Sequence, residues 1–221
     1  DLKTILEWNI KHDIYNFRMS SEIFSWMSEY EFKNLPKISL IQILCKDIGQ
    51  YAKNNNIRLT FHPGPYTVLA SENPNVVENA IIDLERHSEI MNMMELSDTP
   101  FNCINIHLNS SKPDKLSVFN RFIDNYKRLR PETRKRLTIE NDDKKSQYHT
   151  KDLYDLHLMC GIPIVFDYHH EKIHTSNLNE KQSLELAIST WKVKPLCHYS
   201  ESRLLEEVGV KEQAHSDYIY S

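Results

Sequence analysis

Residues 58–71, RLTFHPGPYTVLAS, predict a short strand that stops at a histidine. Polar and apolar side chains alternate over the first four residues, as in a strand with two different faces. Pro63 has no amide proton for a sheet ladder, and Gly64 readily enters the backbone conformations of a turn. His62 is therefore expected at the carboxyl end of this strand, where its imidazole faces the turn.

Strand-like and helix-like segments alternate along the rest of the chain. The segments between the strands repeat apolar residues every three or four positions, as at Ile38, Ile41, Leu44 and Ile48, which is the period of an amphipathic helix. This alternation indicates parallel strands joined by right-handed crossovers. The predicted strands cover residues 16–21, 57–62, 103–108, 136–141, 162–169 and 195–200.

Two folds have this pattern, the doubly wound open sheet and the (β/α)8 barrel. The sequence contains no GxGxxG or GxxxxGK[ST] motif, and its four glycines leave little material for a phosphate-binding loop, which disfavours a nucleotide-binding sheet. The first recognisable element is a helix and the last residues contain no obvious strand, so a complete barrel needs about two more strands. We predict an α/β fold, a (β/α)8 TIM barrel without its first and last strands, as one domain over residues 1–221.

Composition sets limits on location and partners. The chain is 40% hydrophobic and 26% charged, which is typical of globular proteins, and no apolar run approaches the roughly 18 residues of a membrane span. Its start lacks the pattern of a secretory signal, so we expect an intracellular protein, cytoplasmic or nuclear, that is not secreted and binds no membrane. A net charge of -4 gives no general basic surface for nucleic acid. The cysteines are far apart and are expected as free thiols: Cys45, Cys103, Cys160 and Cys197.

Ionisable side chains stand at the carboxyl ends of five consecutive predicted strands. A single histidine in such a position is more often structural than a ligand, but five in register are not expected by chance. In a parallel barrel these ends lie on one face, which carries the active site. The residues are His62, His107, Glu140, Asp167 with His169 and His170, and His198, and His215 can join them from the last loop.

The number of imidazole and carboxylate groups predicts a metal site. Together they form a ligand set suited to divalent zinc, manganese, iron or cobalt. Glu140 lies between two histidine-bearing strands and Asp167, so its carboxylate can bridge two ions. Centres with two metals about 3.5–4 Å apart are typical of phosphoester hydrolysis. We take Glu140, Asp167 and His198 as the catalytic candidates.

Seven blocks of the chain carry a resemblance to known proteins: LEWNIKHDIYNFRMSSEIFSWMS, RLTFHPGPYTVLAS, NIHLNSSKPDKLSVFNRFIDNYKRL, RLTIENDDK, GIPIVFDYHH, CHYSES and AHSDYI. A single block such as IEND is weak support, but the order and βα spacing of the seven are specific. They resemble the UV damage endonucleases of the UvdE family, which are (β/α)8 enzymes related in architecture to endonuclease IV.

The resemblance implies a trinuclear cluster, commonly of Mn²⁺, with Zn²⁺, Co²⁺ or Mg²⁺ as other occupants. Such an enzyme hydrolyses the phosphodiester immediately 5′ to a pyrimidine photoproduct and leaves a 3′-hydroxyl and a 5′-phosphate. The implied partner is damaged double-stranded DNA, and the protein is expected to act as a monomer. By resemblance, His62, His107 and Glu140 hold one ion, Glu140, Asp167 and His198 a second, and His170 and His215 a third, with Asp217 nearby.

The same resemblance points to residues that contact the lesion. The family inserts a Gln-Tyr pair into the duplex, and here Pro65 and Tyr66 occupy those positions. An aromatic side chain beside the ligand turn is well placed to stack on a base. Lys112 and Lys115, in the loop after a ligand strand, are expected phosphate contacts. Trp26 is expected to pack in the core instead.

Three departures from the family pattern leave alternatives open. Leu196 replaces a usual lysine, Glu29 replaces a usual histidine, and Pro65 replaces the glutamine, while the closing-strand carboxylate has no counterpart before Ser221. A non-catalytic relative that only binds damaged DNA is one alternative. A sugar isomerase or epimerase on the same barrel is another, although such sites rely mainly on carboxylates.

Overall fold

A computed structural model describes residues 1–220, which contain one parallel sheet of six strands. The strands lie side by side in chain order, and each neighbouring pair is parallel. A doubly wound sheet would reverse its strand order at a switch point, whereas sequential order is that of a barrel wall. The prediction of a partial (β/α)8 barrel is confirmed. The strands are β1 (Asn16–Met19), β2 (Arg58–Phe61), β3 (Ile104–Ile106), β4 (Leu137–Glu140), β5 (Ile164–Asp167) and β6 (Cys197–His198).

Helices connect the strands and cover one face of the sheet. Among residues 1–220, no helix has both the length and the apolar character needed to cross a membrane. Short 3-10 turns occupy much of the segment between β1 and the next helix. The α-helices are α1 (Leu2–Lys11), α2 (Ile38–Asn54), α3 (Pro74–Met93), α4 (Lys115–Arg128), α5 (Pro131–Arg136), α6 (Thr150–Cys160), α7 (Tyr168–Ile173) and α8 (Glu180–Ser189).

The two faces of the sheet differ in chemistry because side chains alternate along each strand. Leu59 and Phe61 are fully buried in the main core, which also contains the inner faces of the helices. The opposite face of the sheet carries a small apolar cluster of Cys103, Val165 and Leu196. Each of these three residues lies two or four positions before a strand-end ligand candidate on the same face. Apolar side chains therefore fill the barrel interior below the polar end.

One predicted strand is too long. The segment 162–169 was expected to be extended throughout, but β5 ends at Asp167 and α7 begins at Tyr168. Asp167 is the N-cap of α7, and its Oδ1 accepts a hydrogen bond of 2.9 Å from the amide of His170. The cap turns the chain sharply, so His170 reaches the strand-end face from a helix.

The expectation that Trp26 packs in the core is wrong. Its side chain is 77% exposed, and its backbone has a φ of 57°, in the left-handed region. Met27 and Phe32 are the buried side chains of this irregular segment. Met27, the next residue in the sequence, is therefore the one that packs in the core.

Gly49 allows α2 to pack closely against the end of α3. A Cβ at this position would lie 1.8 Å from the backbone carbonyl oxygen of Met94, which cannot rotate away. We expect Gly49→Ala to lower the free energy of unfolding by about 1–3 kcal/mol, as overpacking does. The matched control is Gly64→Ala, since nothing lies within 4 Å of its Cβ. Urea denaturation followed by circular dichroism measures both, and equal midpoints for the two variants would contradict this packing.

Candidate metal centre

The seven predicted ligand side chains meet in one cavity of about 580 Å³. Five of them come from the carboxyl ends of β2 to β6, directly or one residue later, because parallel strands end on the same face. The other two come from α7 and from the segment after β6. The lining residues of this set are His62, His107, Glu140, Asp167, His170, His198 and His215.

Glu140 lies at the centre of this set and is 2% exposed. Its Oε2 is 3.0 Å from Nε2 of His62, and its Oε1 is 3.1 Å from Nδ1 of His198 and 3.6 Å from Nδ1 of His170. The side-chain amide of Asn105 also donates a hydrogen bond to Oε2. Oε2 therefore lies between one imidazole and an amide, and Oε1 lies between two imidazoles that come from β6 and α7.

The imidazole nitrogens and carboxylate oxygens that could bind a metal form three overlapping sets, which we call donor sets. Within each set all of these atoms lie within 4.8 Å of one another. Glu140 belongs to two sets and so does His170, so each of them is shared between two candidate metal positions. The resemblance groups His62 with His107, whereas the geometry places each with a different partner. The assignment of ligands to individual ions stays a prediction. The sets are His62, Glu140 and His198; His107, Glu140 and His170; and Asp167, His170 and His215.

Backbone carbonyls fix the orientation of two imidazoles. Nδ1 of His62 lies 3.2 Å from the carbonyl of Pro63, and Nδ1 of His170 lies 2.8 Å from that of Asn141. A carbonyl can only accept a hydrogen bond, so in both rings Nδ1 carries the proton. Nε2 then keeps a lone pair that can bind a metal ion. Nε2 of His170 then faces Nε2 of His215 at 3.1 Å.

This arrangement fits a bound cation. Nε2 of His62 faces a Glu140 oxygen, so two acceptors meet there, and Nε2 of His170 faces the Nε2 of His215. Each contact requires a proton or a metal ion between its atoms. The donors are imidazole nitrogens and carboxylate oxygens, which suit a divalent transition metal. The Asp142 carboxylate, 3.5 Å from Nδ1 of His107, is placed to orient a further ligand ring.

Burial and neighbouring charges set the protonation of the site. Burial alone would raise the pKa of Glu140, but the His198 and His62 imidazoles outweigh it and hold the pKa well below its usual range. Burial lowers the pKa of His107 and of His215. Glu140 is thus charged and these two imidazoles neutral near neutral pH, as metal binding requires. Burial lowers the pKa of His198 too, but the Glu140 carboxylate outweighs it and the net pKa is raised.

The predicted lesion contacts differ in their surroundings. Tyr66 is 89% exposed, and Pro65 lines a second cavity of about 1040 Å³ that shares four histidines with the first. Lys112 and Lys115 line neither cavity. Nζ of Lys115 is 2.9 Å from carboxylates of two aspartates on α6, so its charge is already paired. The structure therefore brings Pro65 to the cluster but not these lysines.

Sequence reasoning missed two polar residues of this face. Asn105 precedes His107 by two positions and supports Glu140, while its own carbonyl oxygen accepts a hydrogen bond of 2.9 Å from Thr138. Arg18 lines both cavities. The signal for both is strand alternation: Asn105 lies two positions before His107, and Arg18 lies between Phe17 and Met19, which pack on the core face.

Two of the departures from the family pattern are placed by the structure. Leu196 is 6% exposed and packs with Cys103 and Val165 beneath the cluster, so no charged group rises to the site from this position. Glu29 is exposed and lines neither of the two cavities over the cluster. Leu196 thus makes the barrel interior below the site apolar at this position. Glu29 leaves the set of predicted ligands unchanged.

Two solved structures show the same architecture. The crystal structure of SacUVDE superposes with a TM-score of 0.88 and 36% identity, covering 99% of this chain and 72% of its own. D-psicose 3-epimerase from Clostridium cellulolyticum H10 superposes with a TM-score of 0.66 at 15% identity, covering 96% of this chain and 71% of its own. The second likeness shows the fold alone.

Sequence comparison gives the family. A UV DNA damage endonuclease from Bacillus cereus strain G9842 is 34% identical over 221 residues, which cover 97% of this chain and 66% of the relative. This chain thus spans slightly less than two thirds of the length of that relative. The model of the family described as UV-endonuclease UvdE matches residues 1–221. The chain belongs to the UvdE family of UV-endonucleases.

Proposed function

We propose that this protein is a metal-dependent DNA repair endonuclease that hydrolyses the phosphodiester 5′ to UV photoproducts. The observation that carries the proposal is the convergence of seven imidazole and carboxylate side chains in one cavity, with Glu140 at their centre. Membership of the UvdE family supports the substrate class. Damaged double-stranded DNA is the proposed partner, and we propose a monomer that acts inside the cell, in the cytoplasm or nucleus.

The proposed cofactors are up to three divalent cations, with Mn²⁺ as the first candidate and Zn²⁺, Co²⁺ or Mg²⁺ as others. The three donor sets around Glu140 and His170 would hold them. When bound, such ions polarise a phosphoryl group, offset its charge and make coordinated water more acidic.

Hydrogen bonds and ion pairs within the chain hold the side chains of this site in place. The Asn105 amide and two imidazoles fix the Glu140 carboxylate. The amide of His170 binds Oδ1 of Asp167, and the other oxygen of Asp167 lies 4.0 Å from His198. Such preorganisation is what electrostatic stabilisation of a phosphoryl group requires.

Lesion discrimination would come from the cost of unstacking. A photodimer stacks poorly, so its extrusion costs less than the few kcal/mol required for an intact pair. Tyr66 is exposed and follows Pro65, which lines the second cavity. The Asn109 side chain donates a 3.3 Å hydrogen bond to the carbonyl of Pro65, which ties the loop to the neighbouring strand end. We propose that Tyr66 stacks at the lesion and that Pro65 shapes its loop.

A nicking assay tests this function against its alternatives. Supercoiled plasmid, irradiated or untreated, is incubated with protein and Mn²⁺ or with a chelator, and a duplex with one thymine dimer maps the cut. We expect nicking only of irradiated DNA, only with metal, and 5′ to the dimer. Binding of the irradiated duplex without nicking would instead favour the non-catalytic relative. Ketose and aldose interconversion would favour the epimerase alternative.

Removing the Tyr66 ring should weaken lesion recognition without affecting stability. Stacking on one base contributes about 1–3 kcal/mol, so Tyr66→Ala should lower kcat/KM on irradiated DNA by about 5- to 150-fold. The matched control is Tyr15→Ala, since Tyr15 is half exposed at the amino end of β1, away from the cluster. Equal losses in the two variants would remove Tyr66 from the recognition surface.

A further inference from the structure

Arg18 points from β1 into the cavity that holds the cluster. In the register of the sheet it pairs with Thr60 of β2, which lines the same cavity. Its neighbours Phe17 and Met19 pack on the main core, on the other face of the strand. Strand alternation therefore directs the guanidinium toward the metal ligands.

The guanidinium has no protein partner among residues 1–220. None of the hydrogen bonds or ion pairs in this part of the chain involves Arg18, although Glu140, Asp167 and Asp217 line the same cavity. It is also the only lysine or arginine that lines this cavity in the described chain. Burial and, to a smaller extent, the Arg18 charge lower the pKa of His198, although the Glu140 and Asp167 carboxylates outweigh them.

Other arginines of the fold are satisfied. At the opposite end of the barrel, Arg58 donates hydrogen bonds to the backbone carbonyls of four residues, and Arg136 likewise binds backbone and side-chain oxygens around α3. These two side chains serve the structure. An arginine that faces a ligand cavity without a partner is instead available to a ligand.

We propose that Arg18 binds a non-bridging oxygen of the phosphate group that the cluster receives. A planar guanidinium presents paired donors that match phosphate oxygens. Arg18 lines both the cluster cavity and the larger cavity beside it, so it stands where a phosphate would pass between them. This role deepens the proposed function and rests on it for the identity of the substrate, a phosphodiester or its phosphomonoester product.

Arg18 should have opposite effects on the binding of anions and of metal ions. With divalent cations in the cluster, an unpaired guanidinium nearby adds like charge, which disfavours cation binding. An incoming phosphate is attracted both by the cations and by the guanidinium, so Arg18 favours its binding. Removal of Arg18 should therefore leave metal affinity unchanged or higher while it lowers phosphate affinity. A merely structural side chain would change both in the same direction.

Calorimetric titration of inorganic phosphate into Mn²⁺-loaded protein tests the proposal. We expect Arg18→Ala to weaken phosphate binding at least tenfold with an undiminished Mn²⁺ content, and Arg18→Lys to restore part of it. The charge-matched control is Arg128→Ala, since Arg128 pairs with Glu78 on the outer helices, and it should bind phosphate within twofold of the unmodified protein.

Two results would overturn the assignment. Phosphate affinity of Arg18→Ala within twofold of the unmodified protein is one, and loss of Mn²⁺ from that variant is the other. The titration uses neither DNA nor nicking. A protein that nicks no irradiated DNA but binds phosphate through Arg18 would therefore refute the proposed function and support the anion site.

Discussion

Glu140→Gln is expected to abolish metal binding and DNA nicking together. Glu140 belongs to two of the three donor sets, and both of its oxygens face imidazoles at 3.0–3.6 Å. The glutamine has nearly the same shape but no charge, and one of its two terminal atoms can only donate. Changes to residues that merely orient ligands cost 10- to 100-fold in metal affinity or activity, so loss of this carboxylate should exceed about 100-fold in both.

The measurements are metal content after dialysis and nicking of irradiated plasmid. The matched control is Glu171→Gln, because Glu171 is also a buried carboxylate, 1% exposed, whose contact at 2.9 Å is the Thr150 hydroxyl rather than a donor set. This variant should keep its metal. A Glu140→Gln protein that retains full Mn²⁺ content and nicks normally would remove Glu140 from the centre of the site.

The sequence was sufficient to predict the barrel and the face that carries the cluster. Five ionisable residues at regular βα spacing define that face, because parallel strands must end together. The distribution of the ligands among sites could not be predicted in the same way. It depends on side-chain direction, as shown by Asp167, which caps α7 with one oxygen and thereby brings His170 beneath Glu140. The local pattern of polar and apolar residues does not predict this turn at Asp167.

The other differences between prediction and structure have separate causes. Lys115 was a reasonable phosphate contact from its loop, but α6 places two carboxylates against it, about 40 residues away in the chain. Trp26 was expected to pack in the core, whereas it lies in a run of short turns in which Met27 is buried instead. Arg18 was missed because β1 is only four residues long, which gives a weak alternation signal.

His170→Ala is expected to remove at least one metal ion and to lower nicking about 100-fold or more. His170 belongs to two donor sets, and its Nε2 is held 3.1 Å from the His215 nitrogen. Saturation at 100 times the Kd adds about 2.7 kcal/mol of stability per site. The Mn²⁺-dependent rise in Tm should therefore be clearly smaller in the variant, as measured by thermal unfolding with and without metal.

The metal-free state distinguishes a ligand from a structural histidine. Without a cation, His170→Ala should lose only the stability that comes from its buried packing and from the Nδ1 hydrogen bond to the Asn141 carbonyl. With Mn²⁺ the loss should be larger, because a ligand is missing as well. His87 provides the contrast, because it is fully buried against Phe61 and its Nδ1 lies 2.8 Å from the carbonyl of Asp83. His87→Ala should lower the Tm equally with and without Mn²⁺. If His170→Ala behaved like His87→Ala, its imidazole would serve the fold rather than the cluster, since only a ligand has an effect that depends on the metal.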